Sequence, residues 1–111
     1  MASVDECREA MFELAARLAG NAEAQGRLDL DRTVACRLTD LGAAFHGRLT
    51  GGHLVDITDG DDPQAKIALS VKSDDFLALV RGDLDLARAV ASGQMKVKAN
   101  PFDLLKLRKL L

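Results

Sequence analysis

Tryptophan and tyrosine are missing from this 111-residue chain, which has only two cysteines, two prolines and four phenylalanines. Because Cys7 and Cys36 are far apart and lack CxxC spacing or a His-rich neighbourhood, a metal or redox pair is not indicated, and both are expected to be buried. The longest unbroken apolar run, Phe76 to Val80, is far shorter than the roughly 20 residues that span a bilayer. The start, MASVDECREA, lacks the basic and apolar segments of a signal peptide, so we expect a cytoplasmic protein.

The motifs of common catalytic sites are also missing. The nine glycines form neither GxGxxG nor GxxxxGK[ST], and no serine lies in a GxSxG motif. The acidic turn DGDDP lacks the glycine and glutamate that a calcium-binding EF-hand loop requires, and two histidines are too few for a zinc site. We therefore expect no catalytic residue, no metal, no cofactor and no nucleic-acid partner.

Apolar residues make up 48% of the chain, enough to form the core of one domain over residues 1–111. Ser3 and Glu6 form a capping box before an amphipathic pattern that ends near Gly20, which predicts a first helix. From Thr33 onwards, apolar and polar residues alternate in three segments. The pair Gly51-Gly52 predicts a tight hairpin between the second and third strands, and DGDDP predicts a turn before the fourth.

The second half of the chain predicts two helices, a strand and a last helix. Ser73 is the expected N-cap of the first of these helices and Asp83 that of the next, which ends at Gly93. Residues 95–99 alternate as a strand, and Asn100-Pro101 is typical of a helix start. The order predicts an α+β fold with a single five-stranded, mostly antiparallel sheet whose helices cover one face.

The last helix has more large apolar residues than one buried stripe needs. Helical spacing assigns Leu104, Leu107 and Leu111 to the core. The remaining apolar residues, Phe102, Leu105 and Leu110, are interleaved with the basic residues Lys106, Arg108 and Lys109. The end of the chain is therefore basic, whereas the whole chain has a net charge of -2. Two interpretations stay open: the helix packs in a wide core groove, or it also contacts a ligand or membrane, with the basic residues at anionic head groups.

Residues 66–111, KIALSVKSDDFLALVRGDLDLARAVASGQMKVKANPFDLLKLRKLL, resemble the lipid-binding domain of the sterol carrier protein type-two family. The segment Ala99-Asn100-Pro101 departs from the commoner Gly-Asn or Gly-Asp pair of that family. The resemblance implies an apolar tunnel between sheet and helices that binds a fatty acyl chain, acyl-CoA or sterol without catalysis. The matching positions are Asp74, Asp75, Gly82, Gly93, Gln94, Met95, Lys96, Val97, Lys106 and Leu107.

From this resemblance we expect a stand-alone bacterial member of the family that binds and transfers lipid, as a monomer or homodimer. Transient contact with anionic membranes would involve Lys106, Arg108 and Lys109. The alternative is an accessory or oligomerisation domain that docks its C-terminal helix on a partner protein. The expected lipid-contacting residues, each on the apolar face of its strand or helix, are Phe45, Leu49, Phe76, Leu79, Val80, Val90, Met95, Phe102, Leu105 and Leu110.

Overall fold

A computed structural model describes residues 2–20 and 31–110, with side chains described up to residue 106. The helices and strands follow the predicted order. They are α1 (Val4–Ala19), β1 (Asp31–Leu38), β2 (Ala43–Thr50), β3 (His53–Asp59), β4 (Ile67–Val71), α2 (Ser73–Val80), α3 (Leu86–Ser92), β5 (Met95–Lys98) and α4 (Pro101–Leu110).

The five strands form one sheet in the order β3-β2-β1-β4-β5. Three of the four strand pairs are antiparallel, and the pair formed by the central strand β1 with β4 is parallel, with Val34 opposite Ile67. Because parallel neighbours need a long crossover, the β2–β3 hairpin and the acidic turn serve as the connection between β1 and β4. The predicted α+β fold with a mostly antiparallel sheet is confirmed.

The β2–β3 hairpin turns at the two glycines, as predicted. Gly51 and Gly52 have φ angles of 57° and 80°, the combination that a two-residue type I′ turn requires. Further along, the pairing shifts register opposite Gly47, and Asp56 adopts φ 57°. The Val55 carbonyl oxygen would lie 2.9 Å from a Cβ atom at position 47. The irregular β3 therefore depends on a glycine in β2.

Two helix caps differ from the sequence prediction, whereas the Ser3–Glu6 capping box of α1 is confirmed. Helix α2 begins at Ser73 itself, whose N–H and Oγ–H donate to the Asp40 carboxylate at 2.9 and 2.6 Å. Asp85, and not Asp83, caps α3, because the Asp83 N–H donates to the Ala78 carbonyl in the C-terminal turn of α2. The first error arises from hydrogen bonds to a distant turn, and the second from the way the C-terminal turn of α2 continues to Asp83.

The helices pack on one face of the sheet, where strand side chains at alternate positions are buried. Cys36, Phe45 and Leu69 are aligned on neighbouring strands of this face, and Cys7 and Met11 of α1 pack in the same core. Both cysteines are free and buried, as expected. Within residues 2–20 and 31–110, no helix combines the length and the hydropathy needed to span a bilayer.

Candidate functional site

An apolar cavity of about 110 Å³ lies between the sheet and helices α1, α2 and α3. Every described residue that lines it has an apolar side chain or a buried thiol, so the cavity offers no polar group to a ligand. The lining consists of Met11, Leu14, Leu18, Val34, Ala35, Cys36, Phe45, Leu49, Leu54, Ile67, Leu69, Phe76, Leu86 and Val97.

The size of the cavity limits what it can hold in this conformation. An apolar cavity of about 150 Å³ can hold benzene, and typical ligand pockets measure roughly 300–1,000 Å³. A volume of about 110 Å³ therefore accepts only a short apolar segment. Burial also raises the pKa of the Cys36 thiol to about 12, so this part of the wall stays uncharged at neutral pH.

A second apolar space, a groove of about 460 Å³, lies between α3 and α4. Its lining includes Val90 and Ala91 of α3 and Leu104 and Leu105 of α4. Leu86, the first residue of α3, lines both the groove and the cavity. The cavity and the groove are therefore adjacent at Leu86.

The structure brings some of the predicted lipid-contacting residues together and separates others. Phe45, Leu49 and Phe76 line the cavity, and Val90 and Leu105 line the groove. Three others are buried core residues outside both linings: Leu79, Val80 and Met95. Leu79 and Val80 are at the C-terminal end of α2, and Met95 pairs with Val71 near one end of the sheet.

The first helix supplies cavity residues that the sequence prediction did not assign. Met11, Leu14 and Leu18 line the cavity from α1. Their helical spacing was visible in the sequence, but spacing alone does not say which part of the sheet a helix covers. On the strands, Val34 and Val97 also line the cavity, and they lie on the predicted apolar faces.

The C-terminal helix turns part of its apolar surface outwards. Asp103 is buried and Leu104 packs against the core, whereas Phe102 is 74% exposed and Leu105 is 57% exposed. The predicted contact of Phe102 with lipid stays a prediction, since its side chain lines neither space. The described part of the chain does not include Leu111 or the side chains of Leu107, Arg108, Lys109 and Leu110. The membrane contact predicted for Lys106, Arg108 and Lys109 therefore also stays a prediction.

Two arginines lie next to cavity-lining residues on the helix-covered side of the sheet. The Arg8 guanidinium lies 5.8 Å from the centre of the Phe45 ring and is ion-paired to Asp59 at 2.6 Å and Asp5 at 2.5 Å. Hydrogen bonds from Arg8 lower the pKa of the Asp59 carboxyl, and hydrogen bonds to Asp59 and Asp5 raise the pKa of Arg8. This end of the cavity therefore already has two carboxylates for one cation.

The second arginine, Arg32, joins the sheet to α4. Its Nε lies 3.1 Å from Oδ2 of Asp103, whose side chain is only 7% exposed. Its Nη1 donates to the Asp31 carbonyl at 2.9 Å. The pair thus holds the first turn of α4 against the start of β1.

The alkyl sulfatase C-terminal family model matches residues 9–111. A comparison with curated protein sequences finds no significant match. Among solved structures, the stereoselective inverting sec-alkylsulfatase from Pseudomonas sp. superposes with a TM-score of 0.71 and 24% identity over 93% of this chain, but this chain spans only 16% of that enzyme.

Two mosquito proteins match over nearly their whole length. Sterol carrier protein 2 like 2 from Aedes aegypti has a TM-score of 0.73 at 13% identity, covering 98% of this chain and all of that one (100%). Sterol carrier protein 2 from Aedes aegypti, solved in complex with the C16 fatty acid palmitate, has a TM-score of 0.67 at 20% identity, covering 98% and 94%. The predicted resemblance to the sterol carrier protein 2 fold is confirmed.

Proposed function

The chain belongs to the alkyl sulfatase C-terminal family. We propose that residues 1–111 form a non-catalytic domain of this family, which binds the apolar chain of an amphiphile between its helices and its sheet. The observation that carries the proposal is the cavity, whose described lining is apolar throughout. The fold of the palmitate-bound mosquito protein supports a fatty acyl chain as ligand. Transfer of the bound lipid between membranes is the further step of this proposal.

Binding of a long chain requires the cavity to open towards the groove. Leu86 is the side chain to move, because it lines both spaces and lies at the start of the short helix α3. Burial of a 16-carbon chain at about 0.8 kcal/mol per methylene contributes roughly 12 kcal/mol. The cost of association, about 4 kcal/mol at its lower end, limits the affinity to about micromolar at best.

A cavity-filling substitution tests this proposal. Val34→Phe adds a phenyl ring at a lining position, whereas Val55→Phe adds the same ring at an exposed position of β3 outside the cavity. We expect V34F to abolish binding of a fluorescent fatty acid and V55F to bind it like the wild type, with displacement of the probe by dodecanoate. Thermal unfolding of both variants checks that they fold, since overpacking costs about 1–3 kcal/mol.

Two results would contradict the proposal. One is unchanged fatty-acid binding by a folded V34F variant. The other is native mass spectrometry that finds no complex of the wild-type protein with a C12 to C16 fatty acid at concentrations up to ten times the expected micromolar dissociation constant.

A second candidate function is an accessory domain that docks α4 on a partner protein. Two observations favour it: the family model describes the C-terminal part of an enzyme, and Phe102 and Leu105 leave apolar surface exposed on α4. The partner that fits is the remainder of a larger alkylsulfatase. The two functions are compatible, because the cavity lies on the inner side of the helices and Phe102, the more exposed of the two residues, lines neither the cavity nor the groove.

A further inference from the structure

We infer that Arg32 is the residue that binds the polar head of the amphiphile, and that Asp103 sets how strongly it binds a negatively charged head. The inference rests on the proposed function and names the chemical class of ligand: a single-chain amphiphile with a carboxylate or sulfate head. It starts from the apolar lining of the cavity, which forces any polar head to lie at the rim.

Arg32 lies at this rim by its position in the sheet. It precedes Val34 by two residues on β1, so both side chains are on the helix-covered face. Its direct cross-strand partner on β2 is Leu49. Because Val34 and Leu49 both line the cavity, the Arg32 side chain starts within about 5 Å of the cavity wall.

The other arginines of these two strands are on the opposite face. Arg37 pairs with Asp61 and Arg48 with Asp31, and both side chains alternate with buried residues of the helix-covered face. Arg8 is near the cavity, but two carboxylates surround its guanidinium. Arg32 is thus better placed than Arg8 to accept an additional anion.

The guanidinium of Arg32 also has donors to spare. An arginine has five N–H donors, and within the described part of the chain those of Arg32 bond only to Asp103 and the Asp31 carbonyl. Its side chain is 41% exposed, so the remaining donors are accessible to a ligand. A carboxylate or sulfate at this point would gain charge-assisted hydrogen bonds while its chain enters the cavity.

Asp103 opposes this interaction because it already neutralises Arg32. Its carboxylate is buried and lies 3.1 Å from Nε of the guanidinium. The pair therefore has no net charge, and an arriving anion is attracted by Arg32 but repelled by Asp103. Removing the charge of Arg32 should therefore lower the affinity for an anionic head, and removing the charge of Asp103 should raise it. General loss of structure would not produce two opposite changes.

The experiment compares three ligands with one 12-carbon chain, namely dodecanoate, dodecyl sulfate and dodecanol, by calorimetric titration below micelle-forming concentrations. We expect Arg32→Gln to weaken binding of both anions about tenfold, or 1.4 kcal/mol, and to leave dodecanol unchanged. Asp103→Asn should strengthen binding of both anions. Arg48→Gln is the matched control, since it removes an equally charged and similarly exposed arginine from the opposite face; it should bind all three ligands like the wild type.

Because Arg32→Gln leaves Asp103 buried without its cation, the double variant R32Q/D103N is measured as well. It should be at least as stable to heat as R32Q and bind dodecanol normally, while showing weakened binding of the anions. If R32Q and the double variant bind dodecanoate and dodecyl sulfate as the wild type does while dodecanol binds, the inference is overturned and the proposed function stands. If the wild type binds none of the three ligands, the proposed function fails and the inference with it.

Discussion

The Asp40 carboxylate connects three segments that are distant in sequence. It accepts hydrogen bonds from the N–H and hydroxyl of Ser73, and the Ser73 oxygen accepts one from the Ala2 N–H at 3.2 Å. Ser73 is completely buried. These bonds hold the turn after β1, the start of α2 and the start of the chain together. The hydrogen bond from the Ser73 hydroxyl lowers the pKa of Asp40.

Asp40→Asn tests this connection through its pH dependence. A carboxyl group whose pKa is lowered in the folded state stabilises the fold above its unfolded pKa, about 3.9, and loses that contribution as pH falls through the folded value. We expect D40N to lower the free energy of unfolding at pH 7 and to lose less stability than the wild type between pH 5 and pH 2. Urea denaturation at several pH values measures both effects.

Asp83→Asn is the control for this prediction, because Asp83 is exposed and, among the described residues, its side chain makes no hydrogen bond or ion pair. Its substitution should change stability by less than about 0.5 kcal/mol at pH 7. A D40N variant whose pH profile overlays that of the wild type would show that the Asp40–Ser73 bonds contribute nothing to stability.

At the scale of helices and strands, the sequence predicts local features well and contacts between distant segments poorly. The strands, the Gly51-Gly52 hairpin and the start of α4 at Pro101 follow from periodicity and turn residues, which act over a few positions. The Asp40 cap of α2 depends on a residue from another turn, and no local pattern predicts it. The cavity residues of α1 were likewise recognisable as apolar but not as part of a site.

The kinked pairing of β2 with β3 gives a prediction for Gly47. An alanine Cβ at this position would lie 2.9 Å from the Val55 carbonyl oxygen, which is backbone and cannot rotate away. We expect Gly47→Ala to destabilise the protein by about 1–3 kcal/mol, as measured by denaturant unfolding.

Gly20→Ala is the matched control. Gly20 follows α1 with a helical φ of -85°, and a Cβ there meets nothing closer than 3.7 Å. Its substitution should be neutral or slightly stabilising, since alanine restricts the unfolded chain more than glycine does. Equal effects of the two substitutions would mean that the close approach of Val55 to Gly47 places no constraint on the hairpin.

At the scale of the whole molecule, the outer surface of α4 distinguishes docking from packing. Replacing both Phe102 and Leu105 by serine removes the large apolar side chains that are exposed in the part of this helix whose side chains are described. We expect the double variant to keep its thermal stability, because both side chains are mostly exposed. Its affinity for dodecanoate should fall only slightly, because Leu105 lines the groove but neither side chain lines the cavity. If α4 is a docking surface, the variant should lose concentration-dependent self-association, or association with a catalytic alkylsulfatase domain, in sedimentation velocity.

Phe12→Ser is the control for the docking experiment, since Phe12 is 53% exposed on a different helix. It should leave association unchanged. Equal loss of association in both variants would show that association depends on general surface hydrophobicity and not on α4. A large drop in melting temperature for the α4 variant would show that Phe102 and Leu105 belong to the core.

The parallel pairing of β1 with β4 affects how the chain emerges from the ribosome. The β1–β2–β3 meander is synthesised first, but one side of β1 has no partner until residues 67–71 appear. An unpaired strand edge beside uncovered apolar residues is a template for aggregation, and pairings between distant strands form slowly. A pause in translation before β4 would therefore leave one edge of β1 unpaired, and in that interval the nascent chain would depend on a chaperone to avoid aggregation.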